Sequence, residues 1–228
     1  LASAPALAVN QDAQLWLSLS TEAAVTGAVR AQYEAQARFA EQLGGLFQYQ
    51  HRFGLGYRAA PPATLWLGGQ VSNVIRNSRS EPAERRLIGQ FDYLVAAPPG
   101  RRLVSRTRFE RREFENVEGT VWRLRQRMAM DFRLSAAGAT LVTHAEAMFN
   151  LNDTERGMGS GFDRTRAYAG ASFPIARIAN CAASGASGSP CGPLTVRVEA
   201  GYLNQWRNLR NREDGMDHIA LLSLSVRP

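Results

Sequence analysis

The chain has 228 residues, 45% of them hydrophobic and 21% charged, which is enough for one sizeable domain. Its net charge of +7 comes from arginine alone, since the sequence contains no lysine. Mean hydropathy is −0.27, and no stretch approaches the roughly 20 apolar residues of a membrane-spanning helix. A helical membrane protein is thereby excluded, whereas a β-barrel, whose strands need only about 10 alternating residues, is not.

Residues 1–10 (LASAPALAVN) resemble the small-residue end of a secretory signal but lack a basic start and a long apolar run. The expected organisation is a flexible N-terminus over residues 1–11 and a single domain over 12–228. From there a two-residue period runs along nearly the whole chain, the pattern of strands with one apolar and one polar face. Leu15, Leu17 and Leu19 alternate with Trp16, Ser18 and Ser20. Val29, Ala31, Tyr33, Ala35, Ala37 and Phe39 then alternate with Arg30, Gln32, Glu34, Gln36 and Arg38. Phe47, Tyr49, Phe53, Leu55 and Tyr57 follow, interleaved with Gln48, Gln50, Arg52, Gly54 and Arg58. Weaker alternation marks 65–74, 87–95 and 103–114. The next segment sets Trp122, Leu124, Met128, Met130, Phe132 and Leu134 against Arg123, Arg125, Arg127, Asp131 and Arg133. Four more segments lie at 141–150, 165–173, 196–206 and 219–226.

A soluble sandwich also alternates. Three features favour a membrane barrel: segments longer than the usual soluble strand, aromatic residues near segment ends as at Phe39, Tyr57, Phe149 and Trp206, and polar faces too charged for a dry core. The expected fold is therefore an all-β, closed antiparallel transmembrane barrel, an up-and-down meander of 10–12 strands. Eleven segments are found where bacterial barrels usually have an even number. The expectation is accordingly ten strands, with the first segment outside the wall, or twelve, with two merged. Connections near 60–62, 98–100 and 136–138 are short and those near 77–82, 153–160 and 208–215 are longer. This assigns the short side to the periplasm, together with the C-terminus and the segment bearing Cys181 and Cys191. In that compartment the two cysteines are expected to form a disulfide.

Several phrases occur in the order found in one known family. They are 14–19 (QLWLSL), 54–58 (GLGYR), 146–152 (EAMFNLN), 161–166 (GFDRTR), 201–205 (GYLNQ) and the closing run from His218. On them the chain resembles the proteobacterial outer-membrane family known as domain of unknown function 2490. The resemblance implies an outer-membrane barrel and brings no activity with it. The Cys181–Cys191 insert and the ending Val226-Arg227-Pro228 depart from the family pattern.

For function, two arginine rows stand out. Arg102, Arg106, Arg108 and Arg112 share one phase of their segment, and Arg123, Arg125, Arg127 and Arg133 share one phase of the next. Lining a wet lumen, Arg106, Arg108, Arg112, Arg123, Arg125 and Arg127 would contact small anionic solutes, since guanidinium stays charged and forks onto carboxylate or phosphate. Alternatively Glu34, Asp92, Glu110, Asp131, Glu146 and Glu199 neutralise them into a closed network, with Glu110, Asp131 and Glu146 the nearest counter-charges.

The leading expectation is thus a narrow anion channel. The alternative is a non-conducting barrel serving as scaffold or partner in an envelope assembly, and an outer-membrane lipid hydrolase ranks last. His51 on the outward phase and His144 on the inward phase sit in no nucleophile motif, and His218 is read as a loop-edge residue. Neither Ser72 nor Ser105 is an evident partner for a histidine. The glycine-rich 157–161 lacks the lysine of a phosphate loop. No enzymatic activity, cofactor, metal or nucleic-acid partner is expected; the bilayer lipid is.

Overall fold

The computed structural model describes residues 10–76, 79–80, 84–115, 118–153, 159–178, 193–208 and 214–228. The described residues contain strands and turns only. No helix among them is long and apolar enough to cross a membrane. The strands are β1 (Asn10–Ala24), β2 (Val29–Ala40), β3 (Gly45–Ala60), β4 (Ala63–Arg76), β5 (Arg79–Ser80), β6 (Glu84–Ala96), β7 (Arg101–Phe114), β8 (Thr120–Arg133), β9 (Thr140–Asn150), β10 (Gly161–Ile178), β11 (Leu194–Arg207) and β12 (Gly215–Arg227). Cys181 and Cys191 lie outside the described residues, as do residues 1–9.

Apart from β5, each strand pairs with the next, β4 with β6, and the sheet closes on itself through β1 and β12, so the molecule is a barrel. The two-residue β5 pairs only with the end of β4 and is not part of the wall. The wall therefore has eleven strands, neither ten nor twelve. The first alternating segment belongs to it, and no two segments were merged. An odd meander brings its first and last strands together running the same way. β1 and β12 accordingly pair in parallel from Asn10↔Gly215 to Thr21↔Val226, while every other wall contact is antiparallel. The fully antiparallel closure expected from sequence is thus corrected at one seam, where the hydrogen bonds are slanted and evenly spaced.

The inside and outside are inverted relative to a soluble protein. Leu17, Phe53, Leu55, Leu67, Phe91, Tyr202 and Leu222 are exposed on the outer face. Gln50, Ser72, Arg108, Glu110, Arg123 and Asp217 are buried on the inner face. The two-residue period produces this directly, since successive side chains alternate between the faces. Aromatic rings gather on the outer face near one rim. Phe109 stacks on Trp122 with centroids 5.1 Å apart, and Phe162 lies 5.6 Å from Phe149 and 5.4 Å from Trp206. Tyr57, Tyr93 and Phe173 stand toward the other rim, on β3, β6 and β10.

Tight turns close the hairpins of the second rim at 61–62 and 97–100. Gly100 takes a φ of 73° there, a left-handed geometry that suits glycine. This is the short-turn rim. The C-terminus of β12 lies at this rim, and β1 begins at the opposite one.

Candidate functional site

The chemistry of the molecule is concentrated in the barrel interior. The phase of β7 and β8 places six arginines on the inner face of the wall. Arg106, Arg108 and Arg112 come from β7, and Arg123, Arg125 and Arg127 from β8. The register sets Arg108 opposite Arg125 and Arg106 opposite Arg127, as a hairpin of two in-phase rows requires.

In the half of the barrel away from the short turns Arg108, Arg112 and Arg123 are buried, together with Glu84, Glu110 and Glu146. Arg125 donates from Nη1 to Glu110 at 2.8 Å and from Nε and Nη2 to Glu146 at 2.9–3.0 Å. Glu110 is 0% exposed and also lies 3.5 Å from Arg86 and 3.7 Å from Arg108. Arg108 donates through Nε and Nη2 to Gln90. Glu84 accepts a two-pronged bond from Arg86, both prongs 2.8 Å, and another from Arg112. Arg123 donates to Asn150 at 3.0 Å and pairs with Asp163 at 3.1 Å. Such fork geometry holds a guanidinium firmly, because two parallel bonds fix its plane.

A second set fills the remaining arc. Gln50 donates to Gln36, and Gln70 donates to both Gln50 and Ser72, making a ladder across β2, β3 and β4. Trp16 points inward from β1. The guanidinium of Arg38 lies 3.8 Å from its ring centroid and that of Arg166 lies 5.1 Å away, a favourable cation–π arrangement. Trp16, Tyr168, Leu203 and Ile219 make a small apolar cluster on this side.

Toward the short-turn rim the interior opens. Arg52, Arg106, Arg127, Asp131, His144 and Glu199 are only partly buried. Arg106 is forked onto Asp92, and Arg52 pairs with Glu34. Asp131 sits near the mouth, 3.9 Å from Arg102. Arg127 Nη2 lies 3.0 Å from His144 Nδ1, and its Nε is buried without a partner. His144 stacks on Tyr168 at 4.9 Å, and Tyr168 donates to Glu199 at 2.8 Å.

His51 is on the outer face, hydrogen-bonded through Nδ1 to Tyr33 at 2.8 Å. His218 is also outward, inside β12 rather than on a loop edge, and bonds Tyr202. Ser72 is bonded to Gln70 and Ser105 to Gln126. Glu84, the glutamine ladder and Trp16 were not among the expected site residues. Their signal was the same inward phase, read only through the charged positions. A concavity of about 480 Å³ lies where Ala35 and Ala37 sit low beside Leu17 and Leu222, and its lining includes His51 and, from the ladder, Gln36 and Gln50.

Residues 13–216 match the family model described as protein of unknown function DUF2490. The chain belongs to this family. It is also 32% identical over 226 residues to an uncharacterized protein of Methylorubrum extorquens, covering 95% of this chain and 88% of that relative. No solved structure matches. The family match runs from β1 into the first residues of β12, and so spans the strands of this chain that carry both arginine rows.

Proposed function

We propose that the protein is an outer-membrane β-barrel that does not conduct, and that it serves as an anchor or partner within an envelope assembly. One observation carries the reading: at the level of Glu110 and Arg108 the inward side chains are 0% and 3% exposed. Water lining a continuous pore would leave such groups accessible. A lumen of this width is readily filled by its own side chains, and here they are joined by two-pronged ion pairs.

The membrane setting is supported by the inverted faces. An outer surface of leucine, phenylalanine and tyrosine would expose a large apolar area to water, which soluble monomers avoid. In lipid it is the expected surface of a barrel, with aromatic rings toward both interfaces. A closed wall also leaves no unpaired strand edge in hydrocarbon. Bilayer lipid is then the immediate partner, the short turns face the periplasm, and no catalytic, cofactor or nucleic-acid role is assigned.

Passage of small anions along the arginine rows is the competing reading, and the open half of the interior favours it. Envelope fractionation and solute efflux from proteoliposomes decide between them. The proposal expects the chain in the outer-membrane fraction and efflux of nitrate or acetate no faster than from empty vesicles. Rapid anion efflux, or recovery of folded protein without detergent, would overturn it.

A further inference from the structure

The two rims differ in charge. In sequence, the connections on the short-turn rim at 25–28, 61–62, 97–100, 134–139 and 179–193 contain no aspartate or glutamate. The opposite connections contain Glu41, Glu81, Glu115, Glu118, Asp153, Glu155, Glu213 and Asp214. Around the short-turn rim Arg58, Arg102, Arg133, Arg177 and Arg227 are all exposed. Among the described residues four of them, Arg58, Arg133, Arg177 and Arg227, make no ion pair, and Arg102 has only its 3.9 Å approach to Asp131.

Phase aims these arginines into the mouth. Arg102 and Arg133 continue the inward rows of β7 and β8. Arg177 and Arg227 both register with Thr195, two residues from the inward Arg197. Arg58 registers with Thr64, two residues from the inward Trp66. Behind this ring stands Arg127, whose guanidinium is bonded only to His144 among the described residues.

We propose that this mouth is a socket for an acidic polypeptide segment, one with several carboxylates, belonging to a partner on the short-turn side. The inference rests on the reading of the barrel as an envelope partner and gives that partner its chemistry. Inward phase sets the ring apart from bilayer headgroups, which lie outside the wall. The arginines come from five strand ends around the circumference, with neighbouring strands about 4.8 Å apart. No single small anion meets them together, whereas a chain with repeated carboxylates meets them separately. The socket ends blind, because the closed layer lies beneath it.

The test uses the folded full chain in detergent and a fluorescein-labelled deca-glutamate peptide, read by anisotropy. The expected result is saturable binding that weakens at least about tenfold between about 0.05 and 0.5 M salt, as screening of exposed charge requires. Arg133→Gln, Arg177→Gln and Arg227→Gln together should weaken it by about tenfold or more while heat-dependent gel mobility is kept, and Arg85→Gln near the opposite rim should not change it. Should the triple variant not fold, the single Arg177→Gln and Arg227→Gln variants each carry the test, with a loss of about threefold expected.

No binding of the peptide, or equal binding by the folded variants, would overturn the proposal. So would displacement by inorganic phosphate at equal charge concentration, which would assign a free-anion site, or binding seen only with phosphatidylglycerol vesicles, which would assign the lipid. Anion efflux by the wild type counts against the sealed barrel alone, and failure of peptide binding in a non-conducting protein counts against the socket alone.

Discussion

Glu110 shows what the interior depends on at the scale of one residue. Its carboxylate is 0% exposed and neighbours Arg125, Arg86 and Arg108. Removing one member of a buried ion network leaves uncompensated charge, so Glu110→Ala is expected to destabilise the barrel by about 3–5 kcal/mol. Glu113, 46% exposed beside Arg111, is the contrasting case, and Glu113→Ala is expected to change stability by less than about 1 kcal/mol. Denaturant titration followed by gel mobility checks both. Similar losses from the two variants would refute the account of the network. At this scale the arginine phases were legible in sequence, because phase is a local property. Their partners were not, because register across strands is not local. Asp131, expected among the counter-charges of the rows, lies at the mouth 3.9 Å from Arg102 of the first row, while Glu84 was missed although it receives two arginines.

At the scale of the strand, an inward aromatic ring packs on backbone where glycine leaves room. A Cβ at Gly201 would meet the Tyr168 hydroxyl oxygen at 2.5 Å and the Ala169 carbonyl at 2.6 Å, whereas one at Gly89 would meet nothing within 4 Å. Gly201→Ala is therefore expected to cost about 1–3 kcal/mol and Gly89→Ala less than about 0.5 kcal/mol, read in the same titration. The parallel seam gives a sharper test. Leu19 and Leu224 are in register on the outer face, so cysteines placed at both should cross-link in the folded protein. No cross-link would mean that β1 stands outside the wall. All eleven strands were legible as alternating segments, including the first. Parity misled because even strand numbers are a habit of known barrels, while geometry also permits an odd wall with one parallel contact. The register shifts at Arg38/Phe39 and Pro174/Ala176 escaped because a bulge changes phase without changing composition.

The whole molecule is a wall with an apolar exterior, with buried ion pairs in one half of its interior and partly buried charged groups in the half toward the short-turn rim. Such a closed barrel should resist unfolding in detergent until heated and should shift in gel mobility on boiling. A protein whose mobility is the same before and after boiling would argue against closure. Protein taken from the envelope should also show Cys181 and Cys191 joined, and free alkylation of both thiols would contradict their expected periplasmic placement. The most direct measurement of the sealed interior is current through a planar bilayer containing the folded protein under a salt gradient. The account predicts no unitary conductance steps from the wild type. Stable steps with an anion-selective reversal potential would contradict it, showing that the layer built on Glu110, Arg125 and Glu146 does not close the barrel.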